Sequence, residues 1–214
     1  MRDDVKALGD ILPVSRETGE RLKAFVELLE KWQPAENLIS AKTLPEIWRR
    51  HVADSAQLFP MFSETRTWLD MGTGAGFPGM VVAIFGVERA GTEVLLVESN
   101  RRKCAFLRAA IRETGAPATV HEGRAEEVLP GIFARPERVI ARAVAPLARL
   151  LELAEPLMGQ GVPAAFHKGQ DFQSEIDAAS QTFAFDLVRH DSKVGEGGVI
   201  LEISALRRKP NQRT

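Results

Sequence analysis

The chain has 214 residues, of which 44% are hydrophobic and 27% charged, with a formal net charge of −1. That is enough for one large domain with a sizeable core, and the charge balance excludes a uniformly basic nucleic-acid coat while leaving room for a local basic groove. The single cysteine excludes an internal disulfide and a cysteine-cluster metal site, no run of 18 apolar residues could span a membrane, and the mixed start "MRDDVKALGD" is unlike a signal peptide, so a soluble, reduced, cytoplasmic protein is expected.

Residues 15–32, "SRETGERLKAFVELLEKW", predict an amphipathic helix with Ser15 as its cap and Leu22, Phe25, Val26, Leu29 and Trp32 on one face. Pro34 is expected to end it. A second helix is predicted from about Leu44 to Phe59, with Trp48, Val52, Ala56 and Phe59 as its stripe. No strand flanks either helix, so residues 1–62 read as a helical N-terminal cap.

From about residue 65 strands and helices alternate. "RTWLDM" is a short strand, "GMVVAIF" a helix, and "TEVLLVES" a continuous apolar strand suited to burial on both faces. "NRRKCAFLRAAIRETG" is a helix closed by Gly115; "ATVHEG" and "RVIARAVA" are strands; "PLARLLELAEPLMGQG" is a helix and "VPAAFHKG" a strand. After a helix near 171–183, "FDLVRHDSKV" and "GGVILEIS" read as two strands joined by a glycine turn. This order predicts an α/β fold, a mostly parallel doubly wound sheet with one antiparallel strand at the end, over residues 63–206. Residues 207–214 read as a basic tail.

The first strand ends at Asp70 and runs into "GTGAGFPG". In an open α/β sheet this turn lies in the crevice beyond the carboxyl ends of the strands. Gly72, Gly74 and Gly76 allow a tight bend and a close ligand. Gly74, Gly76 and Gly79 also spell G-x-G-x-x-G, with Glu98 19 residues after Gly79, which fits a dinucleotide fingerprint. That reading places an acid, Asp70, beside a pyrophosphate, which is electrostatically unfavourable. S-adenosylmethionine has no phosphates and carries an ammonium and a sulfonium, so Asp70 suits it, and Glu98 suits its ribose. The D-x-G-x-G-x-G form on such a sheet resembles the class I (Rossmann-like) methyltransferases. A purely structural glycine turn is the remaining alternative.

Some subclasses drop out. The place after the fourth strand reads "ARAVAPL", not the N/D-P-P-Y/F loop of amino-methylating enzymes, and the chain has no tyrosine. Cys104 shares a helical face with Leu107 and Ile111, as a core residue rather than a nucleophile. Neither G-x-S-x-G nor H-E-x-x-H occurs.

"NLIS", "RRHVADS", "WLDMGTGAGFPG", "GRAEE", "ARAVAPL" and "HKGQ" occur in this order between about residues 30 and 204. Together they resemble the motifs of the RsmG family, guanine-N7 methyltransferases of bacterial small-subunit ribosomal RNA. The resemblance implies S-adenosylmethionine as donor and, as target, one guanine at position 527 in the 530 loop of 16S rRNA. It implies donor contacts at Gly72, Phe77, Ala125, Glu126 and Arg142; Glu98 joins them by position. The chain departs from the family where Glu36 replaces a frequent tyrosine and His167 a frequent aliphatic residue. The alternative is a methyltransferase of the same fold acting on a small molecule or protein; a nucleotide-binding oxidoreductase or a non-catalytic binding module is the reading from another class.

Guanine N7 carries a lone pair at neutral pH, so its methylation needs placement and exclusion of water rather than a general base. Lys168 and Arg142, at the ends of the fifth and fourth strands, are the catalytic candidates: Lys168 to hold the base at O6 or a phosphate, Arg142 to order donor and RNA. His51 is the third, since His51, Asp54 and Ser55 share a helical face; its alternative is a locally bonded buried histidine beside an Arg50–Asp54 surface pair. RNA contacts are expected at Arg49 and Arg50, at "NRRK" and at "LRRKPNQR". The expected partner is 16S rRNA in a small subunit or assembly particle, met by a monomer.

Overall fold

The computed structural model describes residues 6–9, 11–132, 135–194 and 197–210. After a single turn, α1 (Lys6–Gly9), the long helix α2 (Arg16–Glu36) starts where Ser15 Oγ accepts the Thr18 N–H at 3.0 Å. Leu22, Phe25, Val26 and Leu29 are buried along it. Pro34 lies inside its last turn instead of ending it. A proline there forfeits one hydrogen bond close to a terminus, and the exit is held independently: Asn37, in the left-handed region at φ 45°, donates its N–H to Gln33 O, and the Gln33 side chain bonds both N and O of Ile39.

The predicted second helix is one helical run whose hydrogen-bond pattern changes along it, from a 3₁₀ turn (Leu44–Glu46) through a π-helical segment (Trp48–Ala53) to α3 (Asp54–Ala56) and α4 (Leu58–Met61), with Ile47, Asp54 and Gln57 at the junctions all in right-handed helical φ/ψ. Ser55 Oγ donates to the carbonyl of His51 at 2.6 Å within the widened turn, competing with the regular ladder.

Seven strands form one sheet: β1 (Thr67–Met71), β2 (Glu93–Glu98), β3 (Ala118–Glu122), β4 (Arg138–Arg142), β5 (Ala164–Lys168), β6 (Phe183–Asp191) and β7 (Val199–Arg208). Their order is β3-β2-β1-β4-β5-β7-β6. Every pair from β3 to β5 is parallel, and β7 alone runs against its neighbours. Alternate residues of the inner strands feed two cores. Trp68, Val94, Leu96 and Ile140 pack with α5 (Gly79–Gly86), α6 (Arg101–Thr114) and the N-terminal helices. Leu69, Met71, Leu95 and Val139 pack with α8 (Leu147–Met158) and α9 (Phe172–Thr182) on the other face.

The N-terminal helices therefore share a core with the sheet. Phe25 meets Phe106 at 6.1 Å and Phe77 at 5.4 Å, and Trp32 meets Phe106 at 5.8 Å. Burying such side chains stabilises by about 2 to 3 kcal/mol each. At the other end of the chain, Arg207 and Arg208 belong to β7 and not to a tail; positions 211–214 lie outside the described residues. Because β7 is reversed, Arg208 stands opposite Phe183 and away from Lys168, which pairs with Val199. Arg208 is engaged by Glu155. That basic cluster thus sits at the end of the sheet remote from the carboxyl ends of the parallel strands.

Candidate active site

Strand order reverses between β1 and β4, so the crevice of the doubly wound sheet opens there. The turn after β1 crosses it with Gly72, Gly74 and Gly76 at φ 67°, 58° and 91°, a region that side chains rarely adopt. The close neighbours of these glycines are the protein's own atoms. A methyl at Gly72 would stand 2.8 Å from Val144 Cγ2, one at Gly76 2.7 Å from Met80 Cγ, and one at Gly79 2.6 Å from Asp70 Oδ2.

Asp70 shares the strand face of Trp68, and α5 covers that face, so its carboxyl lies wholly buried behind the glycine turn rather than on the cleft wall. Oδ2 accepts the Gly79 N–H at 2.8 Å; Oδ1 is buried without a partner. Burial raises its pKa to about 7, against the lowering influence of the Thr73 hydroxyl and the Gly79 N–H. The carboxyl that sequence reasoning assigned to a cationic ligand instead ties the turn to the start of α5.

Glu98, at the end of β2, holds the front of the turn and is itself largely buried, at 8% exposure. Its carboxylate accepts the N–H of Gly74 at 2.9 Å and of Asn100 at 2.7 Å. It lines a cavity of about 240 Å³ together with Gly72, Ser99, Gly123, Ala125 and Glu126. Ala125 and Glu126 open α7 (Ala125–Val128) just after β3, and Glu126 is paired with Arg149. Four of the expected donor residues, Gly72, Glu98, Ala125 and Glu126, thus meet over β1, β2 and β3.

Phe77 is placed differently. It is buried between Phe25 and His51, with ring centroids 5.4 and 5.0 Å away, so it joins the glycine turn to the N-terminal helices. His51 is the second half of that joint. Its Nε2 is 2.9 Å from Thr43 Oγ1, and burial, then the Arg142 charge, lower its pKa to about 4, leaving the ring neutral. His51 lines neither cavity among those described. The Arg50–Asp54 pair of the alternative reading is replaced by Arg50–Glu46 at 3.1 Å and Asp54–Arg142 at 3.3 Å.

A larger cleft of about 980 Å³ opens over β4, β5 and the start of β7. Arg142 and Lys168 both line it, as do Arg49, Arg50, Asp54, His167, Gln170, Glu175 and Ser192. Arg142 Nη2 donates to the Arg50 carbonyl at 2.6 Å while Nη1 is buried without a partner, and burial lowers its pKa with Asp54 opposing. Lys168 Nζ donates to Ala145 O at 2.7 Å and to Glu175 at 2.6 Å. His167 is 7% exposed, its Nε2 3.0 Å from the Asp54 carbonyl. A carbonyl only accepts, so Nε2 carries the proton; burial lowers the pKa of the ring.

The two cavities share Val144 and Ala145. Ala143, at φ 54°, turns the chain there, a strained conformation for a residue with a side chain. Sequence reasoning found the ends of β4 and β5 but not Glu175, Ser192 or Val144. Glu175 lies on a different element from the lysine that it holds, and no motif links the two. Asp54 stands in the "RRHVADS" segment, and its partner is Arg142 rather than the Arg50 of the alternative reading.

With this geometry in place, comparison with known proteins decides the family. The sequence model described as "GidB: rRNA small subunit methyltransferase G" matches residues 18–199. The chain belongs to the rRNA small subunit methyltransferase G family. Relatives called "Ribosomal RNA small subunit methyltransferase G" in Brucella canis and Brucella suis biovar 1 are each 50% identical over 204 residues, 95% of both chains. The fold is that of S-adenosylmethionine-dependent methyltransferases. It is similar to an O-methyltransferase from Bacillus cereus in complex with SAH (TM-score 0.57, 14% identity, 94% of this chain and 96% of that one). It is also similar to the cofactor-bound Rv0187 from MTB (TM-score 0.58, 15% identity, 94% and 95%). Four of the segments quoted above fall on the crevice: "GRAEE" on the smaller cavity, "HKGQ" on the larger, "ARAVAPL" between them, and "RRHVADS" along the cleft wall. No described helix is long and apolar enough to cross a membrane.

Proposed function

We propose that the chain transfers a methyl group from S-adenosylmethionine to N7 of the guanine at position 527, in the 530 loop of 16S rRNA. The observation that carries this reading is the adjoining of two cavities across Val144–Ala145: one edged by a carboxylate at the second strand, the other lined by arginines and a lysine. The donor group suits the first. Glu98 offers a carboxylate for the ribose hydroxyls, Gly72 brings main chain to the cavity wall beside Val144, and the segment from Gly123 to Glu126 offers main-chain groups for the adenine edge. When bound, S-adenosylmethionine supplies a sulfonium methyl; the N7 lone pair forms the new N–C bond, the S–C pair stays on sulfur, and no proton moves.

The chain's own residues then have three tasks. The glycine turn, held from behind by Asp70 and at its lip by Glu98, fixes the floor of the donor cavity. Phe77, His51 and Phe25 lock that turn to the N-terminal helices. Arg142 and Lys168 orient the flipped guanine and its flanking phosphates in the larger cleft, where closing around the base excludes water. Arg49 and Arg50 on the rim, and Arg101 and Arg102 at the exposed start of α6, follow the RNA backbone. That one chain carries every group named supports action as a monomer, and a ribosomal substrate supports a cytoplasmic location.

The test is methyl transfer from labelled S-adenosylmethionine to small subunits lacking the modification, mapped by borohydride–aniline cleavage at N7-methylguanine. A single new stop at position 527 is expected. Label in protein or small molecules, or at another RNA site, rejects the reading.

A further inference from the structure

N7 methylation moves a positive charge from sulfur onto the purine. Cations beside the accepting base therefore oppose the step even while they attract RNA. The larger cleft presents two such cations at its inner wall, and each is matched. Arg142 Nε lies 3.3 Å from Asp54 Oδ2, both side chains being 18% exposed, and Lys168 Nζ lies 2.6 Å from Glu175 Oε2. The carboxylates are themselves fixed. Asp54 Oδ1 accepts from Gln57 Nε2 at 3.1 Å and from Ser192 Oγ at 3.3 Å, and its main-chain carbonyl accepts from His167. Glu175 Oε2 also accepts the Leu147 N–H at 2.6 Å, at the start of α8. Asp54 thus joins the N-terminal segment, β4–β5 and the turn before β7; Glu175 joins α9 to β5 and to the loop after β4.

We propose that Asp54 and Glu175 are positioning residues of the transfer, each fixing one cleft cation and cancelling its charge beside the purine that becomes positive. The proposal rests on the functional reading above. Arg142 and Lys168 present N–H groups to the base, while the inner wall carries no net charge from these four residues: two cations, two anions. The rim arginines, outside this wall, supply the attraction for RNA.

This assigns opposite signs to two observables. Removing either carboxylate charge makes the cleft more positive, so binding to polyanionic RNA holds or tightens. The same change leaves an uncompensated cation at the reacting purine and frees it to move, so turnover falls. A merely structural role lowers affinity and turnover together. The experiment uses the full chain with Asp54→Asn and Glu175→Gln, both near-isosteric, and unmethylated small subunits as the probe. Folding of each variant is checked by its thermal midpoint and by stabilisation with S-adenosylhomocysteine.

The expected result is a single-turnover rate at saturating subunits lowered by about 10- to 100-fold, with subunit affinity unchanged or tighter. In an Arg142→Gln background, Asp54→Asn should add less than 3-fold, since the charge it balances is gone. Turnover within about 2-fold of the unsubstituted chain in both variants overturns the proposal, as does a parallel loss of affinity and turnover. Glu175→Gln keeps the Oε1 acceptor on a helix at the surface, so it decides the matter if Asp54→Asn does not fold. If the unsubstituted chain itself transfers no methyl to the subunit, the functional reading fails, which is a distinct outcome.

Discussion

Replacing Asp70 with asparagine removes the one carboxyl that the fold seals completely. Its pKa rises from 3.8 to about 7 chiefly through burial. At about 1.4 kcal/mol for each pH unit, holding it ionised costs roughly 4 kcal/mol relative to the unfolded chain. The folded state binds the proton more tightly, so the associated stability is complete below pH 4 and is lost as the pH rises toward 7. Asparagine can still accept the Gly79 N–H through Oδ1 and brings no charge into the buried site. The stability of Asp70→Asn relative to the unsubstituted chain should therefore climb by about 1.4 kcal/mol per pH unit between pH 4 and 7 and level off above. Urea unfolding followed by fluorescence of Trp32, Trp48 and Trp68, from pH 4.5 to 8, measures it. Taking the difference between the two proteins cancels the other titrating groups. A difference that does not vary with pH refutes the reasoning, because it means that the carboxyl stays ionised and its burial is relieved.

Other consequences follow from the same geometry. His51 has the opposite sign: its folded pKa is lowered to about 4, so its contribution is complete above pH 6.5 and lost as the pH falls from 6.5 to 4. His51→Ala should reduce this acid sensitivity by at most about 3 kcal/mol, discounted for the ring's partial exposure. The variant should also loosen Phe77 and lower the thermal midpoint, while the folded fraction keeps methyl transfer; loss of transfer in folded protein returns His51 to the site. Lys168→Ala should lower turnover by more than 10-fold with a smaller change in subunit affinity, and unchanged kinetics remove Lys168 from the site. Affinity for the small subunit should fall steeply between 50 and 200 mM salt, measured by filter binding; a flat profile contradicts a basic rim. Arg207→Ala with Arg208→Ala should leave that salt profile unaltered, because both residues sit at the far end of β7.

The sheet was legible because short apolar strand segments, near-continuous in β2, alternate with amphipathic helices. Asn100 and Gly115 close α6 as their residue types imply. The glycine turn was legible because positive φ angles demand glycine, and the structure has them at Gly72, Gly74 and Gly76. Three things were hidden. The direction of Asp70 depends on strand parity and on which face α5 covers, and neither is local. The π-helical turn in "WRRHVA" has no residue signature, yet it sends His51 to Phe77 and Asp54 to Arg142. The basic end of the chain looked like a tail because local composition carries no record of β7 pairing beyond Ile203.

The central claim is methyl transfer to one RNA nitrogen, and the modification state of cellular RNA tests it most directly. Small-subunit RNA from a strain lacking this gene, digested and read by mass spectrometry, should lack the N7-methyl group on the fragment containing position 527. The unsubstituted gene should restore it, and the Lys168→Ala gene should not. Full methylation at that guanine in the deleted strain would contradict the account.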